Sequence, residues 1–315
     1  MHEVRGLIRQ LAFVFAGMSL LFGLVGCSEQ SSSSIGKTQW AYGDQSPLDG
    51  ETKTYTFAIH PLYSPARLFE AFGPVIDYLN ARLPNARLVL EATRNYPEYD
   101  QKIIAGRPDF IVPNPFQTLI GLRHGYHVYA KVANDEDFRG IILVRKDGRI
   151  RTPKDLKGKV IAAPGKTALA ATMMPKYFLA THGVDVHKDV RYLYTGTQES
   201  TILSLTLGKA QAATTWPVPW RLIQVQRPEL AKQIRLAWQT DTLPNNSVMA
   251  HERVPRALAR QVADLLVAMK DDPQGRRLLE QSTFTAFEAA NNATYDPVRM
   301  FIERYSKLVE PVEIP

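Results

Sequence analysis

The strongest constraint on this chain is residues 153–220, where a short apolar run is followed by a helical pattern three times in succession. Residues 160–163 read as a strand, and Thr167 opens a helix behind it. Residues 192–194 read as a second strand, with Thr197 placed to cap the next helix. Residues 212–215 read as a third, ending on a Trp-Pro-Val-Pro-Trp turn at 216–220. Strands that alternate with helices imply parallel pairing. In open α/β sheets, ligands bind outside the carboxyl ends of such strands. The loops at 164–167, 196–200 and 215–220 therefore converge on one site.

The same unit precedes this stretch. Residues 55–59 alternate as a strand, and Ser64 is an N-cap with Pro65 at the first helical position. The helix behind it carries Leu68, Phe72, Val75, Ile76 and Leu79 on one face. Strands at 87–92 and 110–112 each lead into a helix, at 96–105 and from Asn114-Pro115-Phe116 to His124. Further strands fall at 128–132 and 141–145. After Trp220 come a helix, a strand at 234–238, a turn-rich segment at 241–246 and a return strand at 248–251. Helices at 255–269, 273–281 and 296–308 finish the chain. The expected architecture is α/β with two lobes, each a mostly parallel sheet flanked by helices. Lobe one holds residues 51–138 and 241–315, lobe two holds 139–240, and a two-strand hinge lies near 139–142 and 246–250. Hinged lobes of this kind close over a ligand.

The amino-terminal residues read as an export signal, with Arg5 and Arg9 before an apolar run at 11–24. Leu24-Val25-Gly26-Cys27 follows and resembles the bacterial lipobox, in which the cysteine is acylated. The apolar run is shorter than the roughly 20 residues a membrane-spanning helix needs. Residues 1–26 are then a signal peptide, and 27–50, rich in Ser, Gly, Asp and Gln, a flexible tether. Cys27 is the single cysteine, so neither a disulfide nor a cysteine-based metal site is available. The expected location is the cell envelope, lipid-anchored and facing the periplasm or exterior. The net charge is +7, falling to +6 when the signal takes Arg5, Arg9 and Glu3 with it. That excess suits an anionic ligand or membrane surface. No run of Lys and Arg points to nucleic acid.

Several motifs in fixed order carry a family likeness. They are Pro74-x-x-x-Tyr78-Leu79, Pro113-Asn114-Pro115-Phe116, and Asp155-Leu156-Lys157-Gly158-Lys159. Further along are Thr195-Gly196-Thr197-Gln198-Glu199-Ser200, Gly208-Lys209-Ala210 and Tyr295-Asp296-Pro297-Val298-Arg299. Across nearly all of residues 54–305 the chain resembles the phosphate/phosphite/phosphonate-type substrate-binding proteins of ABC importers. The resemblance implies a type II periplasmic-binding-protein fold. It also implies a small oxyanion, or an organic ligand bearing one, held between the lobes. It implies a transporter permease as partner, no cofactor and no enzymatic step. The ligand motifs depart from the family. The Ser-Thr-Ser run of phosphonate binders is Ala168, Leu169 and Ala170 here, with Thr167 the nearby hydroxyl. The Ser-His-Asp of the next helix start is Thr197-Gln198-Glu199, and an acidic residue after the third strand is Trp216.

Candidate ligand contacts follow from position. Lobe one contributes Tyr63, Ser64, Tyr96 and Asn114; lobe two contributes Thr167, Thr197, Gln198, Glu199, Ser200, Trp216 and Trp220; Asn245 lies near the hinge. The two tryptophans either fill the core or stack on a flat ligand or a cation beside Glu199. Asn245 and Asn246 either bond ligand or make a turn. Gly165-Lys166-Thr167 ends like a phosphate loop, but the glycine required five residues earlier is Val160. His124 and His127 straddle Gly125 without sharing a helical face, and no metal is expected. Other readings are a sensor working with a membrane kinase or cyclase, a binder of aromatic or cationic solutes, and an enzyme on the same fold. Metabolic labelling with a fatty-acid analogue is expected to mark the wild-type protein and spare Cys27→Ser. Equal labelling of both would refute acylation at that cysteine.

Overall fold

The computed structural model describes residues 52–315. The export signal, the tether and Cys27 lie outside the described residues. The chain begins with β1 (Lys53–Ile59), α1 (Pro65–Asn80), β2 (Ala86–Glu91), α2 (Tyr96–Ile104), β3 (Phe110–Val112), α3 (Pro115–Arg123) and β4 (Tyr126–Val132). It crosses into a second sheet with β5 (Arg139–Arg145), β6 (Lys159–Ala163), α4 (Met174–Thr181), β7 (Val190–Tyr194), α5 (Gln198–Thr206), β8 (Ala212–Thr215), α6 (Pro217–Gln226), α7 (Pro228–Ala231) and β9 (Ile234–Thr242). It then returns with β10 (Ser247–His251), α8 (Arg256–Ala268), α9 (Pro273–Ser282), β11 (Phe287–Ala289) and α10 (Asp296–Leu308). No helix among the described residues is long and apolar enough to cross a membrane.

The strand orders are β11-β4-β10-β3-β1-β2 and β7-β6-β8-β5-β9. Both sheets are mixed. In the first, β1 pairs in parallel with β2 and β3, while β10 is antiparallel to β3 and β4. In the second, β6 pairs in parallel with β7 and β8, while β5 is antiparallel to β8 and β9. The reversal has a topological cause. β5 and β10 each enter a sheet from the side on which its parallel strands end, so each must run back against them. Inserted between parallel strands, each converts two neighbouring pairs to antiparallel ones. This refines the mostly parallel pairing read from the sequence.

The lobes are joined at two crossings, after β4 and after β9. Arg139 pairs with Thr242, and Leu243 N–H donates to Phe138 O at 3.1 Å. Asp135 takes the backbone N–H of Asn245 at 2.8 Å and the buried Lys131 ammonium at 2.6 Å. A third link runs behind the cleft. Lys176 of α4 is 5 % exposed, and its ammonium lies 2.7 Å from Glu310, beyond α10, and 5.0 Å from the Tyr192 ring. His187 Nε2 also lies 2.9 Å from Val309 O.

Two local expectations are corrected. Thr167 does not open the helix; the helix starts at Leu169 with a wide turn (Leu169–Met173) that continues into α4. The Trp-Pro-Val-Pro-Trp segment is the start of α6 and not a turn: Trp216 is the N-cap and Pro217 the first helical residue, where a missing N–H costs nothing.

Gly140, near the start of β5, sets how closely that strand meets the helix beginning at Leu169. A Cβ there would lie 2.5 Å from Ala170 O and 2.7 Å from Pro175 Cδ. Gly140→Ala must therefore displace the helix start or the strand. The expected loss is about 1–3 kcal/mol, read as a lower urea midpoint with the slope retained. An unchanged midpoint would show that the contact has slack.

Candidate ligand cleft

The cleft is built where strands end. β1 delivers His60, β3 delivers Asn114, β8 delivers Trp216, and the crossing into β10 delivers Asn246. Between the lobes these residues, with Tyr96, Phe138, Gln198 and residues 168–171, line a cavity of ≈ 10 Å³.

Polar side chains span the cavity from lobe to lobe. Thr215 Oγ1 donates to Gln198 Oε1 at 2.8 Å, and Gln198 Nε2 donates to Tyr96 OH at 3.0 Å. Gln198 is 2 % exposed and Tyr96 1 %, so this relay is dry. Asn114 caps α3 reciprocally with Gln117, and its Nδ2 also reaches Thr167 O at 3.1 Å. Thr167 Oγ1 donates to Asp100 at 2.8 Å, and Gln117 Nε2 donates to the other Asp100 oxygen at 2.6 Å. Gly165 lies against the Tyr96 ring, where a Cβ would come within 3.0 Å.

The electrostatics come from dipoles. No Lys or Arg lines the cavity. The N–H groups of Leu169, Ala170 and Ala171 begin a helix and have no carbonyl one turn earlier to receive them. They carry the partial positive charge of that terminus. His60 is 2 % exposed, and burial pushes its imidazole down to about 4, opposed by the hydrogen bond to Val112 O. The ring is therefore neutral at neutral pH. Asn246 is fully buried and lines the cavity, yet neither its Oδ1 nor its Nδ2 has a protein partner. Among the described residues no group of three His, Cys, Asp or Glu side chains is placed to hold a metal ion.

Of the residues expected from sequence, the cavity brings together Tyr96, Asn114, Gln198 and Trp216. Trp216 is 2 % exposed, its indole 5.8 Å from the Phe138 ring. Thr167 stands behind the wall as a bridge between lobes. Thr197 caps α5, accepting from Ser200 N–H at 3.2 Å, and Ser200 itself is exposed. Trp220 packs into the second lobe's core with Ile141 and Leu143, away from the cavity. Tyr63 and Glu199 line a separate recess of ≈ 250 Å³ with Arg67 and Arg227. Tyr63 OH bonds to Thr283, and Glu199 is paired with Arg227 at 3.0 Å, so Glu199 is not a bare charge in the cleft. Ser64 takes the N-cap position of α1 without a side-chain hydrogen bond. Asn245 is occupied by the backbone: its Nδ2 reaches Asn134 O at 3.2 Å and its Oδ1 accepts from Asn246 N. The sequence reading missed His60, although it directly follows the carboxyl end of β1, where the strand-end rule points. It also chose Asn245, when its neighbour Asn246 faces the cavity.

A family model described as ABC transporter, phosphonate, periplasmic substrate-binding protein matches residues 57–295. The fold is similar to that of a binding-protein component of an ABC phosphonate transporter from Pseudomonas aeruginosa. That match has 14% identity and a TM-score of 0.75, over 82% of this chain and 88% of that one. A Prochlorococcus marinus protein in complex with methylphosphonate matches at 15% identity and a TM-score of 0.74, over 82% of this chain and 100% of that one. An alkanesulfonate-binding protein from Xanthomonas axonopodis pv. citri, bound to MOPS, matches at 15% identity and a TM-score of 0.60, over 84% and 96%. At these identities the structural likeness shows the fold alone. No curated protein matches the chain.

Burial raises the Asp100 carboxyl above its ordinary range, opposed by the bonds from Gln117 and Thr167. A raised carboxyl is favoured in its protonated form in the fold. Its contribution is fully present below the unfolded value, about 3.9, and is lost as pH rises through the folded value. Asp100→Asn, neutral throughout, is expected to lack this decline. Urea midpoints of the two proteins should diverge as pH rises above the unfolded value, with wild type losing ground. Parallel curves would show that Asp100 titrates normally.

Proposed function

The chain belongs to the periplasmic substrate-binding proteins of phosphonate ABC transporters, and from that premise we propose that it is a lipid-anchored receptor capturing a small oxyanion-bearing ligand between its lobes. The observation that carries the ligand site is the buried Asn246. Both polar atoms of its amide are unpartnered on the wall of a cavity whose other face is a helix N-terminus. A buried polar group without a partner is costly unless something supplies one. The amide and the helix N–H groups together offer several donors to an oxyanion. The protein makes and breaks no bond. It binds by hinge closure and presents the joined lobes to the transporter. The cavity between the joined lobes is small, and parting of the lobes would give a ligand room to enter. The anchor is the acylated Cys27, and residues 27–50 are its tether.

The P. marinus relative is seen with methylphosphonate, which makes that compound the first probe. Calorimetry is expected to show saturable binding. Asn246→Ala, which breaks no protein hydrogen bond, should weaken it tenfold or more, since a bond to a charged group contributes roughly 1.5–3 kcal/mol. Small-angle scattering should register a change in radius on saturation. Undiminished binding by Asn246→Ala, or an unchanged radius, would count against the cleft and the hinge respectively.

A further inference from the structure

The open hydrogen-bonding groups around the cavity are of two kinds. The first donates. It comprises the N–H groups of Leu169, Ala170 and Ala171 and the hydroxyl of Tyr96, whose oxygen already accepts from Gln198 at 3.0 Å. The second kind accepts. His60 Nδ1 lies 3.1 Å from Val112 O. A carbonyl cannot donate, so Nδ1 carries the proton and Nε2 carries a lone pair. No donor among the described residues meets that nitrogen. Asn246 adds one of each, Nδ2 as donor and Oδ1 as acceptor, both open.

A fully ionised oxyanion offers acceptors alone. It would satisfy the N–H and O–H groups but would meet His60 Nε2 and Asn246 Oδ1 lone pair against lone pair. An oxyanion that keeps one proton supplies acceptors and an O–H donor together. The lining has no Lys or Arg to balance a second negative charge, and an unbalanced buried charge is strongly disfavoured. Taking the cleft to be the ligand site, as above, we propose that His60 is a specificity-determining acceptor. The site then selects the singly protonated monoanion of a small phosphonate over its dianion and over sulfonates, which have no proton to give.

His60 keeps one charge state through the relevant pH range, because burial holds it near about 4. Its neighbours are known from each side. Tyr96 of α2 faces the ring, centroids 6.4 Å apart, and Asp100 follows one turn later, held by Gln117 and Thr167. Val112 ends β3, Asn114 precedes α3, Gln198 begins α5, Trp216 caps α6 and Asn246 precedes β10; all are uncharged. A pH dependence of binding between mildly acidic and mildly alkaline conditions is thereby assigned to the ligand; Asp100, whose carboxyl burial raises, is the acidic neighbour to control for.

The test is calorimetry on the full-length protein with methylphosphonate and methanesulfonate, repeated with His60→Phe and with Asp100→Asn. Val112 O keeps the backbone N–H of His60 at 3.1 Å, so the phenylalanine leaves no orphaned carbonyl. Wild type is expected to bind methylphosphonate at least tenfold tighter than methanesulfonate in mild acid. Above the second ionisation of methylphosphonate its affinity should fall about tenfold per pH unit, while methanesulfonate stays flat. Asp100→Asn should keep that slope, and His60→Phe should lose it and bind the two ligands alike. Equal binding of the two by wild type would overturn the proposal and leave the cleft standing. So would a flat methylphosphonate profile, or a preference that survives in His60→Phe. Binding of neither compound would overturn the cleft reading as well.

Discussion

The dry relay Thr215–Gln198–Tyr96 is the constraint on which the interlobe surface depends. A buried amide must have its donors and acceptors met, and Gln198 meets them on both sides of the cleft at once. One partner comes from its own lobe and the other from the lobe opposite. The two sheets are thus held in register by a side chain with little freedom to serve either alone. Asn114 and Asp100 repeat the arrangement through Thr167. Separation of the lobes breaks these bonds together and exposes their groups to water, which can replace them. The cleft therefore exchanges one satisfied set of polar groups for another, which suits a joint that must open and shut without a large free-energy difference.

Much of this was readable in advance, for a physical reason. Strand and helix patterns are local, and the strand-end rule turns them into a location for the site. Asp296–Leu308 and Phe110–Val112 have the bounds their patterns give. What was not readable depended on tertiary packing. Pro217 and Pro219 suggest a turn, yet proline is compatible with a helix's first turn, and Trp216 to Trp220 begin α6. The wide turn at Leu169 hides in an alanine-rich run that any helix would accept. β11, three residues long, has no periodicity to detect.

The site residues divide in the same way. Tyr96, Asn114, Gln198 and Trp216 line the cavity, and each sits at the end of an element, where the strand-end rule looks. Trp220 was misplaced because an indole gives no sign in sequence of which way its helix face turns. Asn245 and Asn246 are chemically identical, and what separates them is which carbonyls lie within reach: Asn134 O claims one amide and nothing claims the other. His60 acquires its character from burial and from its bond to Val112 O, which no motif records.

The link behind the cleft has a consequence for how the protein can be handled. Lys176 is almost wholly enclosed, and its carboxylate partner, Glu310, lies in the final six residues of the chain. Trimming those residues would strand a cation against the Tyr192 ring, far from the pocket. Proteolytic nicking at this end would remove one tie between the lobes while leaving every pocket residue in place. A preparation clipped there would keep its pocket and lose one restraint on how the lobes part.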